Sequence, residues 1–128
     1  MSGSLRSEII DPKTLEPKAK RELIAELYAT HCQIFEGVSE TDFAAYVVDS
    51  PAERTRIEIY RDAGRIVGYF AVHTFVRRVA GHQWVVLRAE SGKLPSYRRG
   101  AKGALMVTEA LRACKALPKI VPLSLRPV

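Results

Sequence analysis

The strongest constraint on the fold is a change of hydrophobic period part-way along the chain. Leu23, Ile24, Leu27, Tyr28, Ile34 and Phe35, with His31 in the same stripe, recur at three- and four-residue steps and draw one face of an amphipathic helix. From Thr55 the period is two. Thr55, Ile57 and Ile59 alternate with Arg56, Glu58 and Tyr60, the pattern of a half-buried strand. The next run holds Ile66, Val67, Tyr69, Phe70, Val72 and Phe75 and is too continuous for a strand with one wet face. It predicts a central strand covered on both sides.

The breaks between these runs give the order of elements. Pro17 suits the first turn of a helix that Gly37 ends. In Ser39-Glu40-Thr41-Asp42 the Ser39 hydroxyl and the Asp42 carboxylate can satisfy free amides at a second helix start, with Phe43, Tyr46 and Val47 on its apolar side and Ser50-Pro51 closing it. Asp62-Ala63-Gly64 reads as a hairpin turn, so the strand Arg65 to Val76 returns antiparallel. Arg77 to Gly81 makes the next connection, and His82 to Glu90 the third strand. Ser91 to Tyr97 is a loop or an irregular strand end. Gly100 to Leu117 is a helix built on Ala101, Ala104, Leu105, Val107, Ala110, Leu111 and Cys114, and Pro118 stops it. Lys119 to Leu125 can form one more strand. The expected fold is α/β, a mixed and mainly antiparallel sheet flanked by helices, in the order helix, helix, strand, strand, strand, helix, strand. Residues 1–16 have only scattered apolar positions and read as a flexible leader, leaving 17–128 as a single domain.

Charge narrows the function. The 128 residues carry 20 Lys and Arg against 14 Asp and Glu. The excess is local: Lys93, Arg98, Arg99, Lys102, Arg112, Lys115 and Lys119 face a single acid, Glu109, within one segment, and the rest of the chain is balanced. Whatever anion the protein binds should bind there. Cys32 and Cys114 are too few for a disulfide framework and stand at no metal-ligand spacing, so two free, buried thiols in the cytoplasm are expected. No apolar run approaches a membrane span. His31 reads as a packed core histidine, and His73 and His82 lack a second ligand at a useful spacing, so no metal is expected.

Within the basic segment a strand runs into Leu94-Pro95-Ser96-Tyr97-Arg98-Arg99-Gly100-Ala101-Lys102-Gly103-Ala104, a turn of small residues that opens a helix with three cations. Helix N-termini favour acids, because unpaired amides and the macrodipole place positive charge there. Arg98, Arg99 and Lys102 go against that preference, and a bound anion would relieve the conflict while the small residues let amides approach it. A phosphate or pyrophosphate is the natural candidate.

Here the sequence resembles the GCN5-related N-acetyltransferases. Their acetyl-coenzyme A motif, Arg/Gln-x-x-Gly-x-Gly/Ala, follows a strand, often after Pro-x-Tyr-Arg. Pro95-Ser96-Tyr97-Arg98 is such a run, and Arg98-Arg99-Gly100-Ala101-Lys102-Gly103 matches with one departure, Ala101 in place of Gly. The order of elements and the strand opening Gly64-Arg65-Ile66-Val67-Gly68-Tyr69 extend the resemblance over most of the chain. The resemblance implies that acetyl-coenzyme A is the cosubstrate, its pyrophosphate held by the amides of Arg99, Gly100, Ala101, Lys102, Gly103 and Ala104 with charge from Arg98, Arg99 and Lys102. Lys93 and Leu94 would pair with the pantetheine amides. Glu90 would take a proton from the amine of a small molecule or protein, and the acetyl group would pass directly to that amine. Members of the family usually continue with a further helix and two strands, so the resemblance also implies a C-terminally shortened domain of weakened or lost activity, or one completed by a second copy through the edge of its last strand.

Two other classes fit the residues. The Lys93–Lys119 face could bind nucleic-acid phosphates, although Tyr97 is the single aromatic there for stacking. A non-catalytic domain that binds coenzyme A or a protein partner needs only the turn or the open edge. Glu90, read alone, is a strand-end acid that can pair with Arg88.

Overall fold

Two Ala-Gly turns set the register of the sheet. Ala63 (φ 54°) with Gly64 (φ 82°), and Ala80 (φ 51°) with Gly81 (φ 80°), occupy the left-handed region in succession, which suits the two-residue turn whose twist matches the strands it joins. A computed structural model describes residues 5–97 and 104–116. In it, β2 (Arg54–Asp62), β3 (Arg65–Val79) and β4 (His82–Lys93) form an antiparallel meander. The second connection is shorter than expected over Arg77 to Gly81, because β3 keeps pairing with β4 as far as Val79 and His82.

β3 is the covered strand its sequence predicts: Ile66 to Tyr69 and Ala71 to Thr74 are all buried. One sheet face packs Ile57, Ile59, Tyr69 and Ala71 against Leu23 and Leu27 of α1 (Pro17–Cys32) and Phe43 of α2 (Glu40–Phe43). Each of the Leu, Ile and Phe side chains among them contributes about 1.5–3 kcal/mol by leaving water. The Ser39 hydroxyl accepts the Asp42 amide hydrogen at 3.1 Å, as the capping pattern predicts. After Phe43 the helix widens to a π-helical turn, Ala44–Val48, where the Asp49 amide donates to the Ala44 carbonyl at 2.7 Å.

The N-terminal reading is corrected over residues 5–16. Leu5–Ile10 is a strand, β1, paired antiparallel with β2 at the edge of a four-stranded sheet of order β1-β2-β3-β4. Its residues are exposed or half-exposed, so it has no apolar alternation for sequence reasoning to find. Ladder bonds and charge hold it in place: Arg61 bridges Glu8 of β1 at 3.2 Å and Glu26 of α1 at 3.0 Å. Pro12 beyond it is buried.

The last described helix, α3 (Ala104–Ala116), packs on β3 and β4 through a different face from the one expected. Leu105, Glu109 and Ala113 are buried, while Val107, Leu111 and Cys114 are exposed. Cys32 is exposed too, so neither thiol is buried as expected. The reason is Glu109, only 3% exposed, whose carboxylate takes Arg54 Nε of β2 at 2.7 Å. Burial pushes the Glu109 carboxyl up, but its hydrogen bond to Arg54 and the charges of Arg54, Arg112 and Arg56 outweigh that and leave it below its ordinary 4.5. Residues 117–128, including the expected strand at 119–125 and its edge, lie outside the described residues.

Glu109→Gln should therefore destabilise the protein at neutral pH by on the order of 2 kcal/mol. This is less than a fully buried pair would cost, because Arg54 remains a quarter exposed and can rehydrate. A carboxyl depressed by folding adds stability above its unfolded pKa and loses it as pH falls through the folded one. Urea midpoints of the two proteins should converge below about pH 4.5.

Candidate functional site

The meander register brings polar residues into line on the face covered by α1 and α2. Thr55 lies opposite His73, His73 opposite Arg88, and Glu90 two residues further along β4, opposite Ala71. Paired residues present their side chains to the same face. His73 is completely buried. Its Nδ1 lies 2.9 Å from Thr55 Oγ1 and its Nε2 2.5 Å from Glu90 Oε1. An ionised carboxylate only accepts, so Nε2 carries the proton; with a neutral ring, the Thr55 hydroxyl donates to Nδ1. Glu90 Oε2 accepts from Arg88 Nε at 3.0 Å. Arg88 in turn lies over the Tyr46 ring at 3.7 Å and donates from Nη2 to the Tyr46 carbonyl at 2.6 Å.

Glu90 thus pairs with Arg88, as its sequence position allows, and also reaches a cavity. That cavity, about 570 Å³, opens between the α1–α2 connection and the end of β4. Its wall is largely aromatic, with Phe35, Phe43, Tyr46, Tyr69 and the His31 ring. The Tyr28 hydroxyl donates to the Val38 carbonyl at 2.6 Å and fastens the connection that forms the rim. Tyr69 OH lies 3.0 Å from His31 Nδ1. Burial, aided by the negative charge of Glu90, pushes the Tyr69 phenol up to about 12, so it keeps its proton at neutral pH. Burial lowers the His31 pKa, which favours the neutral ring. His31 Nε2 is buried and has no hydrogen-bond partner among the described residues. Sequence reasoning read His31 as core; it stands half-buried on the cavity wall.

The expected cofactor side is described only at its margins. Lys93 ends β4 with its ammonium 4.4 Å from the Tyr60 ring centre. Leu94 is buried, its amide donates to the Val67 carbonyl at 2.9 Å, and its carbonyl accepts from the Tyr97 amide at 2.8 Å. Both Leu94 backbone groups are therefore committed within the protein. Tyr97, in a short 3-10 turn, donates its hydroxyl to Asp62, tying the approach of the basic turn to the β2–β3 hairpin. Arg98, Arg99, Gly100, Ala101, Lys102 and Gly103 lie outside the described residues. Ala104 opens α3 and is exposed. Among the described residues no cluster of three or more His, Cys, Asp or Glu could hold a metal ion, and no helix is long and apolar enough to cross a membrane.

No protein-family model and no curated protein matches the chain. Solved structures similar to it are acetyltransferases. An aminoglycoside acetyltransferase from an uncultured soil metagenomic sample, in complex with sisomicin, is 12% identical, with 94% of this chain and 76% of that chain covered and a TM-score of 0.47. Glucosamine-6-phosphate N-acetyltransferase from Arabidopsis thaliana is 14% identical, covering 91% and 79%, with a TM-score of 0.47. The ribosomal-protein-alanine N-acetyltransferase of Brucella melitensis biovar Abortus 2308 is 16% identical, covering 91% and 74%, with a TM-score of 0.43. The likeness says nothing about what this chain binds.

The buried row gives a direct test of how Glu90 is held. Thr55→Val keeps the shape but removes the hydroxyl partner of His73 Nδ1, and should cost about 1–3 kcal/mol, because an unpaired buried nitrogen is left behind. Urea unfolding should show a lower midpoint at unchanged slope. An unchanged midpoint would mean that His73 gains nothing from Thr55.

Proposed function

We propose that the protein transfers an acetyl group from acetyl-coenzyme A to an amine. The observation that carries this reading is the place of Glu90: the carboxylate that the sequence resemblance makes the base lines an aromatic cavity three residues before the end of β4. The chain then leads through Tyr97 into the basic glycine turn. One end of the strand serves the amine, and the turn beyond it serves the coenzyme.

In this mechanism Arg98, Arg99 and Lys102, with the amides from Arg99 to Ala104, hold the pyrophosphate. Among the described residues β4 pairs only with β3, and its outer backbone near Lys93 takes the pantetheine amides. Leu94, whose own amide and carbonyl are spent on Val67 and Tyr97, gives that site shape. Glu90 uses one bond to His73 and one to Arg88; a carboxylate has about four acceptor positions, which leaves room for an amine N–H. It takes one proton from the bound ammonium and so frees the nitrogen lone pair; the amine attacks the thioester carbonyl, the C–N bond forms as the C–S bond breaks, and the second nitrogen proton goes to the departing coenzyme thiolate or to solvent.

Calorimetry with coenzyme A tests the reading first. The wild type should bind, the double variant Arg98→Glu/Arg99→Glu should not, and Arg77→Glu/Arg78→Glu should bind as the wild type does. Equal loss from both pairs would mean nonspecific attraction and reject the site. For an acetylated amine, Glu90→Gln should lower kcat about 100-fold; an unchanged rate would remove Glu90 from the chemistry. Tight, steeply salt-dependent binding of nucleic acid without coenzyme binding would favour the nucleic-acid reading instead.

A further inference from the structure

We infer that the cavity beside Glu90 selects a monocationic amine carried on a flat apolar body, an arylalkylamine in chemical class. The inference rests on the amine side of the reading above and goes further, since that reading leaves the acceptor open.

The first support is a group of three among the nine large apolar side chains exposed in the described residues. Phe35, Val38 and Tyr46 are 45%, 41% and 51% exposed, and all three line this one cavity. Large apolar side chains kept in water around a concavity are a cost that folding does not require, and they mark a surface made to be covered. Phe43 and Tyr69 continue the same apolar wall inward, with their rings edge to face at 6.0 Å.

The second support is charge. Glu36, Asp42 and Glu90 all line the cavity, and among the described residues no lysine or arginine does. The nearby Arg88 turns its guanidinium onto the Tyr46 ring and Glu90. A cation is therefore drawn in, and aromatic faces add to its attraction. Arg88 offsets Glu90, Glu36 and Asp42 are exposed to screening water, and the apolar wall is large, so one charge on an apolar body fits better than several charges or many hydroxyls.

The third support is the apolar wall itself. Glu36, Asp42, Glu90 and Ser91 can bond an ammonium or a few hydroxyls, but a polyhydroxylated amino sugar would also set hydroxyls against Phe35, Val38, Phe43 and Val47, at about 1–3 kcal/mol for each left unpaired.

Binding to the protein alone, with no coenzyme, tests this independently of the transfer reaction. By calorimetry or ligand-observed NMR, phenethylamine should bind at least ten-fold more tightly than 2-phenylethanol, which lacks the charge, and than glucosamine, which lacks the apolar body. Tyr46→Ala, a half-exposed site, should weaken phenethylamine five- to ten-fold, and Arg77→Ala should leave it unchanged. Absence of phenethylamine binding at millimolar concentration, equal binding of the alcohol, or equal or tighter binding of glucosamine would each overturn the inference. If coenzyme A fails to bind while phenethylamine keeps its preference, the transfer reading falls and the cavity assignment stands.

Discussion

β3 is covered on both faces, and this sets the conditions for everything around it. A polar side chain in such a strand has no water to turn to, so its partners must come from the neighbouring strands. His73 meets that demand with Thr55 on one side and Glu90 on the other. Thr74, on the opposite face, has no partner for its hydroxyl among the described residues. Glu90 is held by His73 from inside the sheet and by Arg88 from the rim, so its direction into the cavity follows from the register of the meander. A slip of one residue in β4 would turn Glu90 to the other face.

The same logic separates what the sequence revealed from what it hid. Periodicity exposed α1, both hairpins and the buried character of β3, because each is a local pattern. Glu90 was legible as a strand-end acid and through the family resemblance. His73 was not, since its importance depends on residues 17 and 18 positions away that only the register joins. The docking face of α3 was misread for a related reason. Glu109 looks like a solvent residue until Arg54, 55 positions earlier, is brought to it. β1 escaped notice because an exposed edge strand is specified by backbone pairing and scattered ion pairs, and neither leaves an apolar rhythm.

Charge, too, reads differently in three dimensions. The basic segment suggested a surface free to attract anions, yet two of its described members are engaged within the fold: Lys93 over Tyr60, and Arg112 3.6 Å from Glu109. Two of the cavity's acids, Glu36 and Asp42, come from the α1–α2 connection and α2, and the third, Glu90, from β4.

The π-helical turn at Ala44–Val48 has a consequence of its own. It winds more residues per turn than an α-helix, so the chain carries about one residue of slack in the wall that presents Tyr46. Successive residues of a regular helix differ by roughly 100° about the axis. The shape of the cavity is thus governed by a residue count as well as by residue types: a chain one residue shorter here would point a different side chain at the cavity and would shift Val47 and Val48, which share a buried cluster with Ile57 and Tyr69.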